Sequence, residues 1–232
     1  MSSTLLDAAA ARASPHEGMR RFAVIGKKAS ASPDFSLDDL PGTSGRLDVL
    51  LRCVRAAMLV SHGIRRDVAV YLLLRGGPAA PRVARIDGSD ARFLRPDERS
   101  LGTLLKKTLA HGSPGPAFRL VRPGIALASG DIDVVLADAP RSTVFLLEEG
   151  ALDVRAAPDL GATDVLIFVG DHEGIDAASR RRLFACGART LAVGPMSIHA
   201  DDAIAVVSNE IDRRQGRCAG SGTLLGEGRR TT

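Results

Sequence analysis

Between residues 44 and 60 the apolar positions recur at the spacing of one helical face. At about 100° per residue, Leu47, Leu50, Leu51, Val54, Ala57 and Met58 share one side, while Asp48, Arg52 and Arg55 share the other. Ser44 offers an N-cap hydroxyl and Gly63 a stop, so a helix is predicted between them. The pattern changes at residues 68–74, Val-Ala-Val-Tyr-Leu-Leu-Leu, an almost unbroken apolar run. Such a run fits a strand covered on both faces.

Shorter runs of the same kind occur at residues 21–26, 83–86, 144–147, 165–169 and 190–193. Helical patterns lie between or after them, at about 97–110, 175–186 and 198–213. Acids in the first turn of the 97–110 segment and Lys106 and Lys107 near its end match the helix dipole. Residues 27–34 and 111–116 are polar or rich in Gly and Pro, and read as loops. Alternating strands and helices predict an α/β fold with a largely parallel sheet flanked by helices. In such sheets ligands lie beyond the carboxyl ends of the strands. Here three strands run into polar or glycine clusters, at residues 148–150, 170–172 and 194–195.

The chain has 232 residues, of which 45% are hydrophobic, with no Trp and one Tyr. That suffices for an aliphatic core. The expected organisation is a disordered extension over residues 1–18, a single domain over 19–213 and a flexible Arg-containing tail over 214–232. The net charge of +4 is concentrated at the end. Residues 213–232 hold five arginines and one glutamate, leaving the rest of the chain neutral. The high pI therefore describes the tail, either a solubilising segment or a loose phosphate-binding arm. Cys53, Cys186 and Cys218 show no metal-ligand spacing, and their sparse odd count fits a reducing cytoplasm. No apolar run reaches the roughly 20 residues needed to span a bilayer.

Several chemistries find no support. There is no P-loop and no Gly-x-Ser-x-Gly elbow. The five histidines lack zinc spacing, and no metal site is expected. Asp131-Ile132-Asp133 reads as a solvated loop rather than a metal ligand pair. The scarcity of aromatic residues disfavours an RNA-recognition motif that stacks bases on a sheet. Residues 38–70 carry the densest chemistry, because clusters of Arg, Asp and His bracket the amphipathic helix. That placement fits an anionic ligand.

Taken in order, the motifs are Phe-x-Val-Ile-Gly (22–26), Ser-Leu-Asp-Asp-Leu-Pro-Gly (36–42), Gly-Arg-x-Asp-Val-Leu-x-Arg-Cys-Val (45–54) and Ser-His-Gly-Ile-Arg-Arg-Asp-Val (61–68). Pro-Asp-Glu-Arg-Ser (96–100), Leu-x-Glu-x-Gly (146–150), Gly-Asp-His (170–172), Val-Gly-Pro (193–195) and His-Ala-Asp (199–201) follow. Over residues 20–213 this series resembles the TrmY family of pseudouridine N1-methyltransferases, within the SPOUT class. The resemblance implies an α/β SPOUT fold whose C-terminal part forms a trefoil knot, an exception to the unknotted rule. It also implies S-adenosyl-L-methionine (SAM) as cofactor, a homodimer, a cytoplasmic location, no membrane association, and tRNA or another structured RNA as partner. The implied reaction is methylation of N1 of pseudouridine at position 54 of the tRNA T-loop.

Carried onto this chain, the family's cofactor residues are Leu146, Gly170, Leu191, Ala192, Val193, Gly194, Pro195, Met196 and Ala203. Leu147 stands where members often have His, and Ala203 where a Cys commonly lines the pocket. Pseudouridine N1 must lose its proton before or during attack on the methyl group. Asp48 is the candidate to contact or deprotonate N1. The other reading makes it a first-turn acid of the helix or a partner for Arg52 at i+4. Arg46 is the candidate to assist catalysis and bind a phosphate or base carbonyl, with Arg65 and Arg66 holding phosphates. Asp171 and His172 lie near the cofactor or cap the next helix, and Asp39 serves the turn at Gly42. His62 reads as a helix-end cap or a packing residue. Two alternatives remain: a SPOUT reaction on another nucleoside or a ribose hydroxyl, and a noncatalytic RNA-binding homologue.

Overall fold

An eight-stranded sheet organises the computed structural model, which describes residues 18–112, 114–161 and 164–216. Residues 1–17 of the expected extension and 217–232 of the expected tail lie outside the described residues. The strands are β1 (Arg20–Ser30), β4 (Val68–Gly76), β5 (Arg82–Asp87), β6 (Arg119–Arg122), β7 (Ile125–Ser129), β8 (Thr143–Asp153), β9 (Val165–Gly170) and β10 (Arg189–Ala192). A separate two-stranded ribbon joins β2 (Leu59–Val60) to β3 (Gly63–Ile64). The order across the main sheet is β10-β8-β9-β1-β4-β5-β7-β6. The first five strands in that order pair in parallel, and the last three extend the sheet antiparallel.

The helices are α1 (Leu40–Thr43), α2 (Leu47–Met58), α3 (Glu98–Leu109), α4 (Ile132–Asp138), α5 (Ala177–Ala185) and α6 (Ala200–Arg214). Successive strand residues point to opposite faces, and both faces are dry. Phe22, Val24, Val70 and Leu72 meet Leu50, Val54 and Ile204 of α2 and α6 on one side. Ala23, Ile25, Tyr71 and Leu73 meet Ile132, Val135 and Leu183 of α4 and α5 on the other. This explains why the apolar runs of β1, β4 and β9 do not alternate with polar residues.

Several expectations need correction. Ser44 lies ahead of the helix: its hydroxyl accepts from Leu47 N at 3.0 Å, but Arg46, with φ 70°, is the N-cap residue. The helix ends at Met58, before Gly63, because the chain turns into the β2-β3 ribbon. His62 is exposed at the tip of that ribbon, away from the end of α2, and caps no helix among the described residues. Asp131 and Asp133 are no loop: Asp131 is the N-cap residue of α4. They pair with Arg75 at 2.9 Å and Arg182 at 2.5 Å, respectively. Arg214, assigned to the tail, closes α6 and donates to carbonyls of Val154, Arg155 and Leu160.

One charged cluster ties the start of β1 to α6. Arg20 at the start of β1 is fully buried and pairs with Asp67 at 2.8 Å and Asp212 of α6 at 2.9 Å. Arg65 grips the same Asp212 at 2.6 Å. An arginine this deep requires such partners. Among the described residues no helix is long and apolar enough to cross a membrane.

Candidate functional site

The parallel strands β9 and β10 end at a cleft of about 860 Å³, which β8 lines from the middle of its length with Leu147, Glu148 and Glu149. Its apolar wall comes from Leu147, Val169, Leu191, Val193 and Ala203. Gly170 and Gly194 sit at two of the strand ends. Gly170 is required by packing: a Cβ there would fall 2.6 Å from the carbonyl carbon of Gly174. Gly194 has φ +152°, a region open to glycine, and a Cβ there would meet nothing within 4 Å. The backbone N–H groups of Gly194, Met196 and Ser197 make no hydrogen bond among the described residues. A cleft with apolar walls and free main-chain donors suits a flat heterocycle whose edge accepts hydrogen bonds.

The loop after β9 is pinned from both sides. Asp171, buried at its start, accepts from Lys27 N at 2.9 Å and Glu173 N at 2.8 Å. It thereby locks the end of β1 to the cleft wall. The cap of α5 is Asp176, which accepts from Ser179 N at 2.9 Å. His172 lines the cleft. Asp39 accepts from Gly42 N at 3.1 Å, holding the turn before α2.

Opposite the strand ends, the N-terminus of α2 contributes Arg46, Val49 and Arg52. Asp48 is 3% exposed and does not line the cleft. Its carboxylate accepts from Arg46 Nε at 3.0 Å, Arg46 Nη2 at 3.1 Å and Arg52 Nη1 at 3.1 Å. Burial pushes the Asp48 carboxyl up, but Arg46 and Arg52 outweigh it and hold it below its ordinary value. The same bonds raise Arg46. Asp48 is therefore a firmly ionised anchor and a weak base. Arg46 keeps Nη1 without a partner among the described residues, on a side chain 42% exposed.

Of the residues singled out by sequence, Arg46, Gly170, Leu191, Ala192, Val193, Gly194, Met196 and Ala203 converge on this cleft. Pro195 is exposed in the same loop but is not part of the lining. Leu146 is corrected to a core residue: it is fully buried with Ala23, Ile25 and Phe168, and its neighbour Leu147 lines the cleft instead. Arg65 and Arg66 are corrected too. They precede β4, at the end of the parallel strands opposite the cleft. Arg65 is bound to Asp212, and Arg66 donates to Gly88 O at 2.8 Å and Ala91 O at 3.0 Å. The sequence alone places Arg52 only as a partner for Asp48, and does not single out Ile198 and Asp202 of the cleft. The helical pattern at 198–213 contains the signal for both.

Residues 19–216 match the model of a family described as "Putative SAM-dependent RNA methyltransferase". The chain is 41% identical over 197 residues to the tRNA (pseudouridine(54)-N(1))-methyltransferase of Methanosarcina acetivorans, covering 85% of this chain and 92% of that protein. It is also 41% identical over 196 residues to the protein of the same name from Halobacterium salinarum, covering 84% and 96%. The fold is similar to that of Archaeoglobus fulgidus Nep1, crystallised with S-adenosylhomocysteine. That similarity has a TM-score of 0.60 at 14% identity, covering 86% of this chain and 99% of that one.

Proposed function

The chain belongs to this family of SAM-dependent RNA methyltransferases, and on that premise we propose that it methylates N1 of pseudouridine in tRNA, at position 54 of the T-loop. The observation that carries this reading is the 41% identity over 92% of a relative bearing that name. The cleft supports it, because the residues present fit the cofactor. Leu191, Val193 and Ala203 offer apolar surface to an adenine ring. The unpaired N–H groups of Gly194, Met196 and Ser197 can meet its edge or a carboxylate. When bound there, SAM supplies an electrophilic methyl group for in-line displacement.

The chain's own part is positioning and charge. In this reading Arg46 touches the substrate, and the Nη1 that Asp48 leaves without a bond among the described residues supports that role. A guanidinium beside a base carbonyl stabilises the negative charge that develops on the ring as N1 loses its proton. Asp48 is a positioning residue that holds Arg46 through two parallel hydrogen bonds. Arg52 steadies that carboxylate from the next turn. Asp48 does not take the N1 proton in this scheme, since two guanidiniums make it a poor acceptor; the proton passes to solvent as the N1–methyl bond forms and the methyl–sulfur bond breaks.

The protein acts as a homodimer in the cytoplasm with the C-terminal segment knotted. Exposed Met196 and Ile198 beside the cleft, together with Val206 of α6, support a second copy covering this edge. After edge strand β10, α6 returns to pack on α2, a path compatible with threading. The test uses purified protein, labelled SAM and matched tRNA transcripts carrying pseudouridine or uridine in the T-loop. N1-methylpseudouridine from the first set alone is expected. No product from either, with SAM binding confirmed, overturns the reading of substrate.

A further inference from the structure

The antiparallel end of the sheet carries a second basic surface that the cleft does not use. A shallow pocket of about 230 Å³ lies between the 92–95 loop, α3 and edge strand β6. Arg92, Arg95, Lys107 and Arg122 contribute four cations to its lining, and no acid lines it. None of the four makes an ion pair among the described residues. The nearby acids have backbone partners: Asp97, which also feels the charge of Arg95, caps α3 through Ser100 N at 2.7 Å, and Asp90 accepts from Gly124 N at 3.1 Å.

Phe93 stands among these cations and is 90% exposed. Its φ of 58° is left-handed, which is uncommon for a bulky side chain. At that exposure the ring buries little of its surface against the described residues. The loop is held from beneath, because Arg66 bonds the carbonyls of Gly88 and Ala91 just ahead of it. The surface also connects to the cleft. Arg52 of the cleft wall bonds Glu98 at 3.2 Å, two residues before Ser100 of the pocket lining.

We propose that Phe93 and its four surrounding cations form a second RNA-contact surface, with the ring stacking on an unpaired base and Arg92, Arg95, Lys107 and Arg122 meeting phosphates. Base stacking on an exposed aromatic, flanked by cations, is how unpaired nucleotides are gripped. The proposal rests on the reading of RNA as substrate and deepens it. The surface binds part of the RNA away from the reacting nucleoside. Arg66 serves RNA indirectly, as a positioning residue for the loop.

The test measures tRNA affinity of the full chain by fluorescence anisotropy across a salt series. Phe93→Ala is expected to weaken binding about 5- to 150-fold, the range for losing one stacked base. Phe93→Trp is expected to retain binding. Arg95→Glu with Lys107→Glu is expected to flatten the salt slope by about 0.7–0.9 for each phosphate that is no longer neutralised. SAM affinity, measured separately, reports whether each variant is folded. Wild-type tRNA affinity in both Phe93→Ala and the charge reversals overturns the proposal, and a surface that instead serves a protein partner gives that result. Methylation is read in wild type only. A failed pseudouridine assay with a Phe93-dependent tRNA affinity removes the reaction and leaves the surface standing.

Discussion

Asp48 Oδ1 accepts a hydrogen bond from Arg46 Nε at 3.0 Å, although the two residues are only two apart in sequence. Side chains at that spacing do not face each other on a helix. The bond exists because Arg46 lies just outside α2 in the left-handed region. Its side chain folds back over the first turn, shields Asp48 and presents a guanidinium to the cleft.

Replacing Asp48 by Asn tests that arrangement. The variant keeps the shape but loses the charge that holds Arg46. SAM affinity should stay near wild type, while single-turnover methyl transfer falls about 10- to 100-fold, as expected when a positioned group is loosened. Arg46→Lys should also be impaired, because an ammonium cannot reproduce the two-pronged contact. Wild-type transfer rates in Asp48→Asn would remove the positioning role.

Gly170→Ala probes the wall of the cleft. The new methyl group would approach backbone atoms of Gly174 at 2.6–2.9 Å, and backbone yields less readily than a flexible side chain. The 170–174 turn must therefore open, moving Gly170 and His172 together. SAM affinity by titration calorimetry is expected to fall at least about tenfold, by the same sensitivity of bound geometry to small displacements. An unchanged affinity would show that this turn does not shape the cofactor cleft.

Much of this fold could be read from the pattern of the chain. The apolar runs of β1, β4 and β9 announce buried strands, and the face shared by Leu47, Leu50, Leu51 and Val54 announces α2. Strand β6 was not legible, since its residues are largely exposed and lie between Gly- and Pro-rich turns. Helix α4 was missed because seven residues give too few turns for a period to show. The strand-end glycines pointed to the cleft. The burial of Asp48 did not show, because helical spacing puts it on the polar face, where Arg46 and Arg52 close over it. Arg65 and Arg66 misled for a related reason. A run of charge resembles a phosphate site until the distant partners, Asp212, Gly88 and Ala91, are known. Phe93 gave no signal, since a lone aromatic in a loop has no period.

The cluster of Arg20, Arg65 and Asp212 predicts how stability depends on acid. Burial pushes the Asp212 carboxyl up, but Arg65 and Arg20 outweigh it and leave it lowered. A carboxyl whose folded pKa lies below its unfolded value of about 3.9 stabilises the fold above that value. The contribution is lost as pH falls through the folded pKa. Asp212→Asn should therefore cost about 2–4 kcal/mol at pH 7. This is somewhat less than the range of about 3–5 kcal/mol for breaking a fully buried pair, since Asp212 is 18% exposed. The gap between wild type and variant in urea denaturation should persist from pH 7 to about pH 5 and shrink below about pH 4, as the wild-type carboxylate protonates. The alternative is that Asp67 alone satisfies Arg20, whose Nε it meets at 2.8 Å. If solvent likewise satisfies Arg65, the variant would match wild type at pH 7, and Asp212 would contribute nothing to joining α6 to the start of β1.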